Sequence, residues 1–242
     1  MNLWQPLAAN KMSDFLNEFL PVKEIAFTGS LLEPTTLDIF SDVDIKILLS
    51  GNSLLSMKNL VKMLSERFDK VFGFEVHNHD NSDVLRVCFE NGWRFDLTVN
   101  PRLLESQEAD ISFYEKADKT INQFWFLALC VLGKLGRNDF LVAAHLMLEL
   151  YQLNIVIQML MRDEEKKTNI HRFGDGENIP VLHSFVPQKN HNISSQETKS
   201  EILNLLFNAA EHMDKISARI CHEYTERSDK LVTLSRQFGF IT

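Results

Sequence analysis

The chain has 242 residues, of which 45% are hydrophobic and 24% are charged, the composition of an ordinary globular protein. That length allows one large domain or two small ones. The net charge of −8 argues against broad nucleic-acid binding, which depends on Lys and Arg side chains that neutralise phosphates. The N-terminus lacks the basic start and apolar run of a signal peptide, and the three cysteines lack metal-ligand spacing. These features predict a cytoplasmic protein with reduced thiols.

The first predicted element is a helix over residues 10–20, because apolar residues recur there at helical spacing. Ser13 or Asp14 is the expected N-cap, and Pro21 ends the helix. A short apolar run over residues 25–27 then predicts a strand that stops at Gly29.

Residues 24–49 are predicted to form a strand, a Gly-Ser turn, a connecting segment and a second strand. Gly29 has no Cβ, so a polyphosphate can approach its backbone N–H closely, and Ser30 adds a hydroxyl beside it. Asp42 and Asp44 are two residues apart, so both side chains are expected on one face of the strand. Two carboxylates held that close repel each other unless a cation lies between them, and oxygen ligands suit Mg²⁺. The segment therefore predicts a site for phosphoryl or nucleotidyl transfer.

The next elements complete an α/β half that Pro101 closes. The pattern predicts a helix with its N-cap in a Gly-Asn-Ser turn and three further strands, over residues 54–68, 72–76, 84–90 and 93–99. Asn91-Gly92 predicts the hairpin that joins the last two strands. Because Phe95, Leu97 and Val99 alternate with Asp96, the Asp96 side chain is expected opposite the apolar face, where it can join Asp42 and Asp44.

Each of these features also has a simpler interpretation. Gly29-Ser30 is compatible with an ordinary turn, and Ser41 or Asp42 is compatible with a loop end that caps backbone amides. Three carboxylates that converge on one sheet edge favour the functional interpretation, because a soluble fold gains no stability from that arrangement.

Beyond residue 101 the pattern becomes helical. A polar connector is expected over 102–116, helices over 121–135, 140–161 and 197–224, and a polar surface loop over 163–195. Asn138-Asp139 is the expected cap of the second of these helices. Polar residues interrupt the apolar stretch 140–161, so no membrane span is expected.

Several single residues leave two interpretations open. Phe124–Phe126 are compatible with a helix core or, less often, with an aromatic wall for a substrate. Lys46 shares a strand face with the aspartates, as a salt-bridge partner or as a phosphate contact. Glu75 on a neighbouring strand is a candidate for an acceptor pocket. His145 is expected to be packed or hydrogen-bonded. His77 and His79 provide only two ligands on an exposed hairpin, so metal binding is not expected there.

The order Gly29-Ser30, then Asp42-Val43-Asp44, then a later Asp96 resembles the nucleotidyltransferase superfamily that includes DNA polymerase β. The resemblance implies an α+β protein: an N-terminal mixed sheet with flanking helices in residues 1–101, followed by a helical bundle in residues 102–242. It also implies that Asp42, Asp44 and Asp96 are the catalytic carboxylates.

Residues 122–140 resemble the first long helix of the antibiotic nucleotidyltransferases. The likeness is carried by Phe124-Trp125, Lys134, Arg137 and Asp139, and it implies that Lys134 contacts the nucleotide phosphates, with Arg137 as the second candidate. Some kanamycin-modifying relatives have a glutamate base one turn before that lysine. Here the position is Cys130, which leaves Asp96 as the candidate base.

The resemblance implies an enzyme that moves a nucleoside monophosphate, AMP from ATP, to a hydroxyl of a lincosamide or aminoglycoside, and thereby confers antibiotic resistance. Asp42, Asp44 and Asp96 would hold Mg²⁺, while Gly29 and Ser30 would hold the β- and γ-phosphates. A homodimer remains open, and no membrane partner is expected. Two alternatives are a module that modifies a protein or tRNA, as in toxin–antitoxin systems, and a non-catalytic binding domain.

Overall fold

The computed structural model describes residues 3–33, 35–51, 53, 55–103, 112–167, 195–221 and 224–241. The chain divides into two compact units, Met1–Ile111 and Ser112–Thr242. All of the strands that the structure describes lie in the first, which we call the sheet unit. The second contains four of the described helices, and we call it the helical unit.

The sheet unit is built from five strands and two long helices. In chain order these are α1 (Gln5–Phe19), β1 (Val22–Thr28), a 3₁₀ turn (Gly29–Leu32), β2 (Val43–Leu49), α2 (Met57–Arg67), β3 (Val71–Asn78), β4 (Asp83–Phe89) and β5 (Arg94–Asn100). The strand order across the sheet is β1-β2-β5-β4-β3, with β2 and β5 parallel and all other neighbours antiparallel. The predicted α+β class with a mixed sheet is therefore confirmed.

One face of this sheet forms the core. Along β2 the buried Val43, Ile45 and Ile47 alternate with more exposed residues, and β5 repeats the pattern from Phe95. These side chains pack with those of α1 and α2, including Leu16. The period-2 alternation leaves the opposite face of the sheet to the polar residues of each strand.

Helix α1 begins earlier than predicted, at Gln5 instead of residue 10. Pro6 lies in the first turn, where its missing N–H costs nothing, and buried alanines extend the apolar stripe toward the N-terminus. Ser13 and Asp14 therefore lie inside the helix, and the expectation that either one caps it was wrong.

Helix α2 begins later than predicted, at Met57. Its N-cap is Ser56, whose hydroxyl accepts a hydrogen bond from the backbone N–H of Asn59. The Ser53 hydroxyl, in the turn predicted to hold the cap, instead accepts from the N–H of Leu55.

The helical unit contains α3 (Phe113–Gly136), α4 (Phe140–Lys166), α5 (Ser195–Ile220) and α6 (Ser228–Gln237). A capping box between Ser112 and Glu115 starts α3, so the end of the expected connector is helical. Asp139 caps α4 as predicted. Helix α4 also runs through residues 163–166 of the expected loop, and residues 168–194 of that loop lie outside the described residues. The predicted final helix ends at Ile220, and α6 was not predicted.

The aromatic run on α3 belongs to the core of the helical unit. Phe124 and Trp125 are fully buried and Phe126 is 5% exposed. The Trp125 indole N–H donates to the Tyr224 hydroxyl at 2.9 Å, and that hydroxyl donates to Asp214 at 2.7 Å. The core interpretation of these rings is confirmed.

Helix α4 is long and apolar enough to cross a membrane by length and composition alone. This is weak evidence, because core helices of soluble proteins have the same properties. Its buried Asn154 donates to the backbone carbonyl of Ala209 on α5, at 3.3 Å.

Candidate active site

Five side chains form a straight line across the polar face of the sheet, one from each strand. We call this line the central row, and in sheet order it consists of Thr28, Asp44, Asp96, Arg86 and Glu75. Each is the direct register partner of the next. The row places two carboxylates on adjacent parallel strands with no residue between them.

Asp44 and Asp96 are brought together by the strand register of β2 and β5. Both alternate with buried core residues, so both side chains emerge on the face of the sheet opposite α1 and α2. The sequence-based expectation that Asp96 joins Asp44 is therefore met by the backbone geometry. Asp42 lies one residue before β2 begins, close enough for its charge to act on both carboxyl groups.

The loop before Asp42 is fixed by a network of hydrogen bonds. The Asp38 carboxylate accepts from the Phe40 N–H at 2.9 Å and from the Ser41 hydroxyl at 3.0 Å. The buried Gln5 amide donates to the carbonyls of Asp38 and Ser41, at 2.6 and 3.0 Å. Arg94 donates to the carbonyl of Phe40. Ser41 is thus a loop-capping residue, as in the simpler interpretation, and it holds the chain that presents Asp42.

Gly29 lies directly against Asp44. Its φ of +67° is a conformation that other residues rarely adopt, and a Cβ there would lie 2.0 Å from Oδ2 of Asp44. A glycine is therefore required here both by the backbone and by the carboxylate. The Ser30 hydroxyl oxygen next to it is buried and has no hydrogen-bond partner among the described residues. An orphaned hydroxyl beside a glycine fits a site for an anionic ligand.

Asp44 and Asp96 both have a raised pKa. Burial raises the pKa of Asp96 to about 6, and the charge of Asp42 acts in the same direction. Arg86 partly opposes this shift. Burial also raises the pKa of Asp44, with a further contribution from Asp42. Burial and the like charge of Asp42 therefore both disfavour the ionised forms of Asp44 and Asp96 in the absence of a ligand.

Arg86 and Glu75 complete the row in a way that the sequence alone does not reveal. The Arg86 Nε is 3.1 Å from Oδ2 of Asp96, and Nη1 is 3.9 Å from Oε2 of Glu75. His77 also approaches Glu75, at 3.3 Å. The register of the β4–β5 hairpin is the signal that identifies Arg86. Glu75 was a candidate for an acceptor pocket, but its ion pairs with Arg86 and His77 are sufficient to explain its position.

The residues of the row fit a divalent cation in their chemistry. Among the described residues, no cluster of three or more His, Cys, Asp or Glu side chains is arranged to hold a metal ion, and Asp96 is paired with Arg86. The carboxylates of Asp44 and Asp96, which are register partners, are hard oxygen ligands of the kind Mg²⁺ prefers, and the nearby charge of Asp42 adds to the attraction for a cation.

The remaining candidates lie away from the row in sequence. Lys134 is in the last turn of α3 and Arg137 is its C-cap, where positive charge also favours the helix dipole. Their contact with nucleotide phosphates stays a prediction. Lys46 is exposed and forms no ion pair with a described residue, so the salt-bridge alternative finds no support there.

Several solved structures match the chain, and two of them illustrate how low the similarity is. An aminoglycoside 6-adenyltransferase from Bacillus subtilis aligns with 96% of this chain and 97% of its own, at 14% identity and a TM-score of 0.27. A CdnC:HORMA-deltaN complex from E. coli MS115-1 aligns with 98% of this chain and 88% of that chain, at 17% identity and a TM-score of 0.23. TM-scores of this size do not establish a shared fold. No protein-family model and no curated protein matches the chain.

Proposed function

We propose that this chain is a Mg²⁺-dependent nucleotidyltransferase that moves a nucleoside monophosphate, AMP from ATP, to a hydroxyl of a small acceptor. The observation that carries the proposal is the alignment of Asp44 with Asp96, with Gly29 packed against Asp44. The Gly-Ser, Asp-x-Asp and later Asp pattern that the chain shares with nucleotidyltransferases supports it.

The reaction is an in-line displacement at the α-phosphorus. The acceptor oxygen forms a bond to phosphorus, the bond from phosphorus to the β-phosphate oxygen breaks, and pyrophosphate leaves. The acceptor proton must pass to a base, and Asp96 is the candidate, because it is the carboxylate that lies next to Asp44 in the row. Mg²⁺, when bound by Asp42, Asp44 and Asp96, supplies neutralisation of the phosphate charge.

The triphosphate would be held by backbone and hydroxyl groups of the 3₁₀ turn. The missing side chain of Gly29 leaves room for the Asp44 carboxylate. The Ser30 hydroxyl, which has no partner among the described residues, is the candidate donor to a phosphate. Lys134 and Arg137 are the cationic candidates for further phosphate contacts.

The charge of the site favours a cationic acceptor. The central row with Asp42 carries four carboxylates against the single guanidinium of Arg86, and the whole chain has a net charge of −8. An aminoglycoside has several ammonium groups that suit such a surface. The buried rings of Phe124–Phe126 offer no apolar wall, which was the feature that favoured a lincosamide. We therefore place the aminoglycoside first, in a cytoplasmic resistance enzyme.

The test is mass spectrometry of reactions with the purified chain, MgCl₂, one of the four nucleoside triphosphates, and an aminoglycoside or a lincosamide. The proposal expects a drug whose mass rises by one nucleoside monophosphate, and no product with Asp44→Asn. In parallel reactions that contain a protein or tRNA instead of the drug, transfer of the nucleotide to that macromolecule, with both drug classes unmodified, would show that the acceptor is a macromolecule. No transfer to any acceptor would overturn the proposed activity.

A further inference from the structure

Arg86 occupies an unusual position in the central row, between two carboxylates on two neighbouring strands. Its register partners are Asp96 on β5 and Glu75 on β3. The guanidinium is 3.1 Å from Asp96 and 3.9 Å from Glu75. The positively charged Arg86 therefore lies between Glu75 and Asp96, and Asp96 belongs to the candidate metal site.

The side chain of Arg86 is free to change partners without disturbing the core. It is 45% exposed, whereas its neighbours Leu85 and Val87 are fully buried on the other face of the sheet. Glu75 is only 11% exposed and already lies within reach of Arg86. A small rotation of the guanidinium is enough to exchange the nearer carboxylate.

A divalent cation and Arg86 would compete for the same carboxylate. Asp96 accepts Arg86 through Oδ2, and a cation bound by Asp44 and Asp96 would lie next to that positive charge. Two positive groups at a few ångströms repel each other in the half-buried environment of a sheet face. Loading of the cation is therefore easier when Arg86 moves toward Glu75.

We propose that Arg86 is a resident counter-ion that sets the cation affinity of the site, with Glu75 as its alternative partner. In the cation-free protein it compensates the charge of Asp96. When the cation binds, Glu75 takes over the guanidinium. This inference rests on the proposed cation-dependent function and adds two positioning residues to it, neither of which binds the cation.

A purely structural role makes a different prediction. A cross-strand ion pair that only stabilises the β4–β5 hairpin contributes little to stability, and its loss leaves the cation affinity unchanged or weaker. The counter-ion role predicts that loss of Arg86 strengthens cation binding. The sign of the change therefore separates the two.

The experiment is calorimetric titration of the full chain with MnCl₂ at pH 8, without nucleotide. Arg86→Gln is expected to bind Mn²⁺ about three- to tenfold more tightly than wild type, the range set by a charge-assisted pair that is partly exposed. Glu75→Gln should bind about twofold more weakly, because Arg86 then has only Asp96 as its partner in the row.

The Lys70–Glu90 ion pair provides matched controls, because it lies where β3 begins and β4 ends, at the open end of the β3–β4 hairpin. Its atoms are 2.9 Å apart, and neither residue belongs to the central row. Lys70→Gln and Glu90→Gln change the net charge by the same amounts as the two test variants, and both should stay close to the wild-type affinity. Arg86→Lys, which keeps the charge but lacks the fork of two donors, should give an intermediate affinity.

The outcomes separate this inference from the proposed function. If the wild type does not bind Mn²⁺ without nucleotide, this inference is overturned, and the proposed function is decided separately by the transfer assay, in which the cation can enter with the triphosphate. If the wild type binds and Arg86→Gln is unchanged or weaker, only the counter-ion role is overturned. Unfolding curves in EDTA check that each variant is folded. If Arg86→Gln does not fold, Glu75→Gln decides, and an affinity equal to wild type overturns the inference.

Discussion

Two carboxylate centres in this protein have opposite surroundings. In the helical unit, Asp214 is 3% exposed and accepts hydrogen bonds from the Tyr224 hydroxyl and from the backbone N–H groups of Arg227 and Ser228. In the sheet unit, Asp44 and Asp96 face each other and Asp42, with Arg86 as the guanidinium in their row.

The difference teaches how to separate a structural carboxylate from a functional one. The Asp214 carboxylate has hydrogen-bond donors on both oxygens, two of them backbone N–H groups at the start of α6, so it has a structural role. The pKa of Asp96 is raised to about 6, chiefly by burial and further by the charge of Asp42, so its ionised form is disfavoured in the folded protein. A fold that keeps such a cluster loses stability for it, which favours a ligand that restores the balance. The predictions below test this contrast.

The largest effect is expected for Asp44→Asn. The change keeps the shape of the side chain but removes a charge that the proposed reaction requires, so transfer should fall by about three orders of magnitude or more. Without a divalent cation, the free energy of unfolding should stay equal or rise, because repulsion within the row decreases. Transfer assays and urea unfolding in EDTA measure the two quantities. A variant that keeps its activity would remove Asp44 from the mechanism.

Asp214→Ala should give the reverse result. It leaves two backbone N–H groups and the Tyr224 hydroxyl without their acceptor in a buried position. The free energy of unfolding should fall by about 3 kcal/mol. Urea titration provides the value, and Asp229→Ala is the control, at an exposed carboxylate in the first turn of α6 itself. Equal stabilities of the two variants would contradict the structural role of Asp214.

The stability of the cation-free protein should depend on pH through Asp96. Its pKa is raised in the folded state, so its contribution is fully present below about pH 4 and is lost as the pH rises through about 6. Asp96→Asn removes this loss. The difference in free energy of unfolding between the variant and wild type should therefore be larger at pH 7.5 than at pH 4.5, by about 2 kcal/mol in favour of the variant. The measurement is urea unfolding in EDTA at both pH values. A gap that is the same at both would show that Asp96 ionises normally.

The smallest effect is expected for Gly29→Ala. The new methyl group would press on Asp44 and shift its carboxylate, so transfer should fall about tenfold. Gly239→Ala is the matched control, because Gly239 also has a positive φ, +73°, but no neighbour within 4 Å of the added atom. Both variants lose a similar stability from backbone strain, about 1 kcal/mol. Equal activities of the two would show that the contact between Gly29 and Asp44 is unimportant.

Alternation and turn residues were sufficient to predict the elements that carry the carboxylates. The pattern around Asp96 placed it opposite the apolar face, and the core position of its neighbour Phe95 confirms this. The face of a side chain depends only on local periodicity, which a single sequence contains. The partners of a side chain on other strands depend on the strand register, which a single sequence does not contain.

The β4–β5 hairpin shows why Arg86 was missed. Asn91-Gly92 suggested a loop of two residues. The N–H of Phe89 instead donates to the carbonyl of Trp93, so three residues, Glu90–Gly92, lie between this pair, with Gly92 at a φ of +88°. That one extra residue moves Arg86 opposite Asp96, where the shorter loop would have placed Val87. The start of α6 was missed for a similar reason, because its acceptor, Asp214, is distant in sequence.

The central claim is that the carboxylates of the sheet face and a divalent cation together bind a nucleoside triphosphate. The most direct measurement is the thermal unfolding midpoint of wild type and Asp44→Asn with ATP, with MgCl₂ and with both. The wild type should gain about 5 °C or more with both ligands at saturating concentration and little with either alone. Asp44→Asn should show no such gain. Equal gains in the two proteins, or no gain in wild type with any nucleoside triphosphate, would contradict the claim.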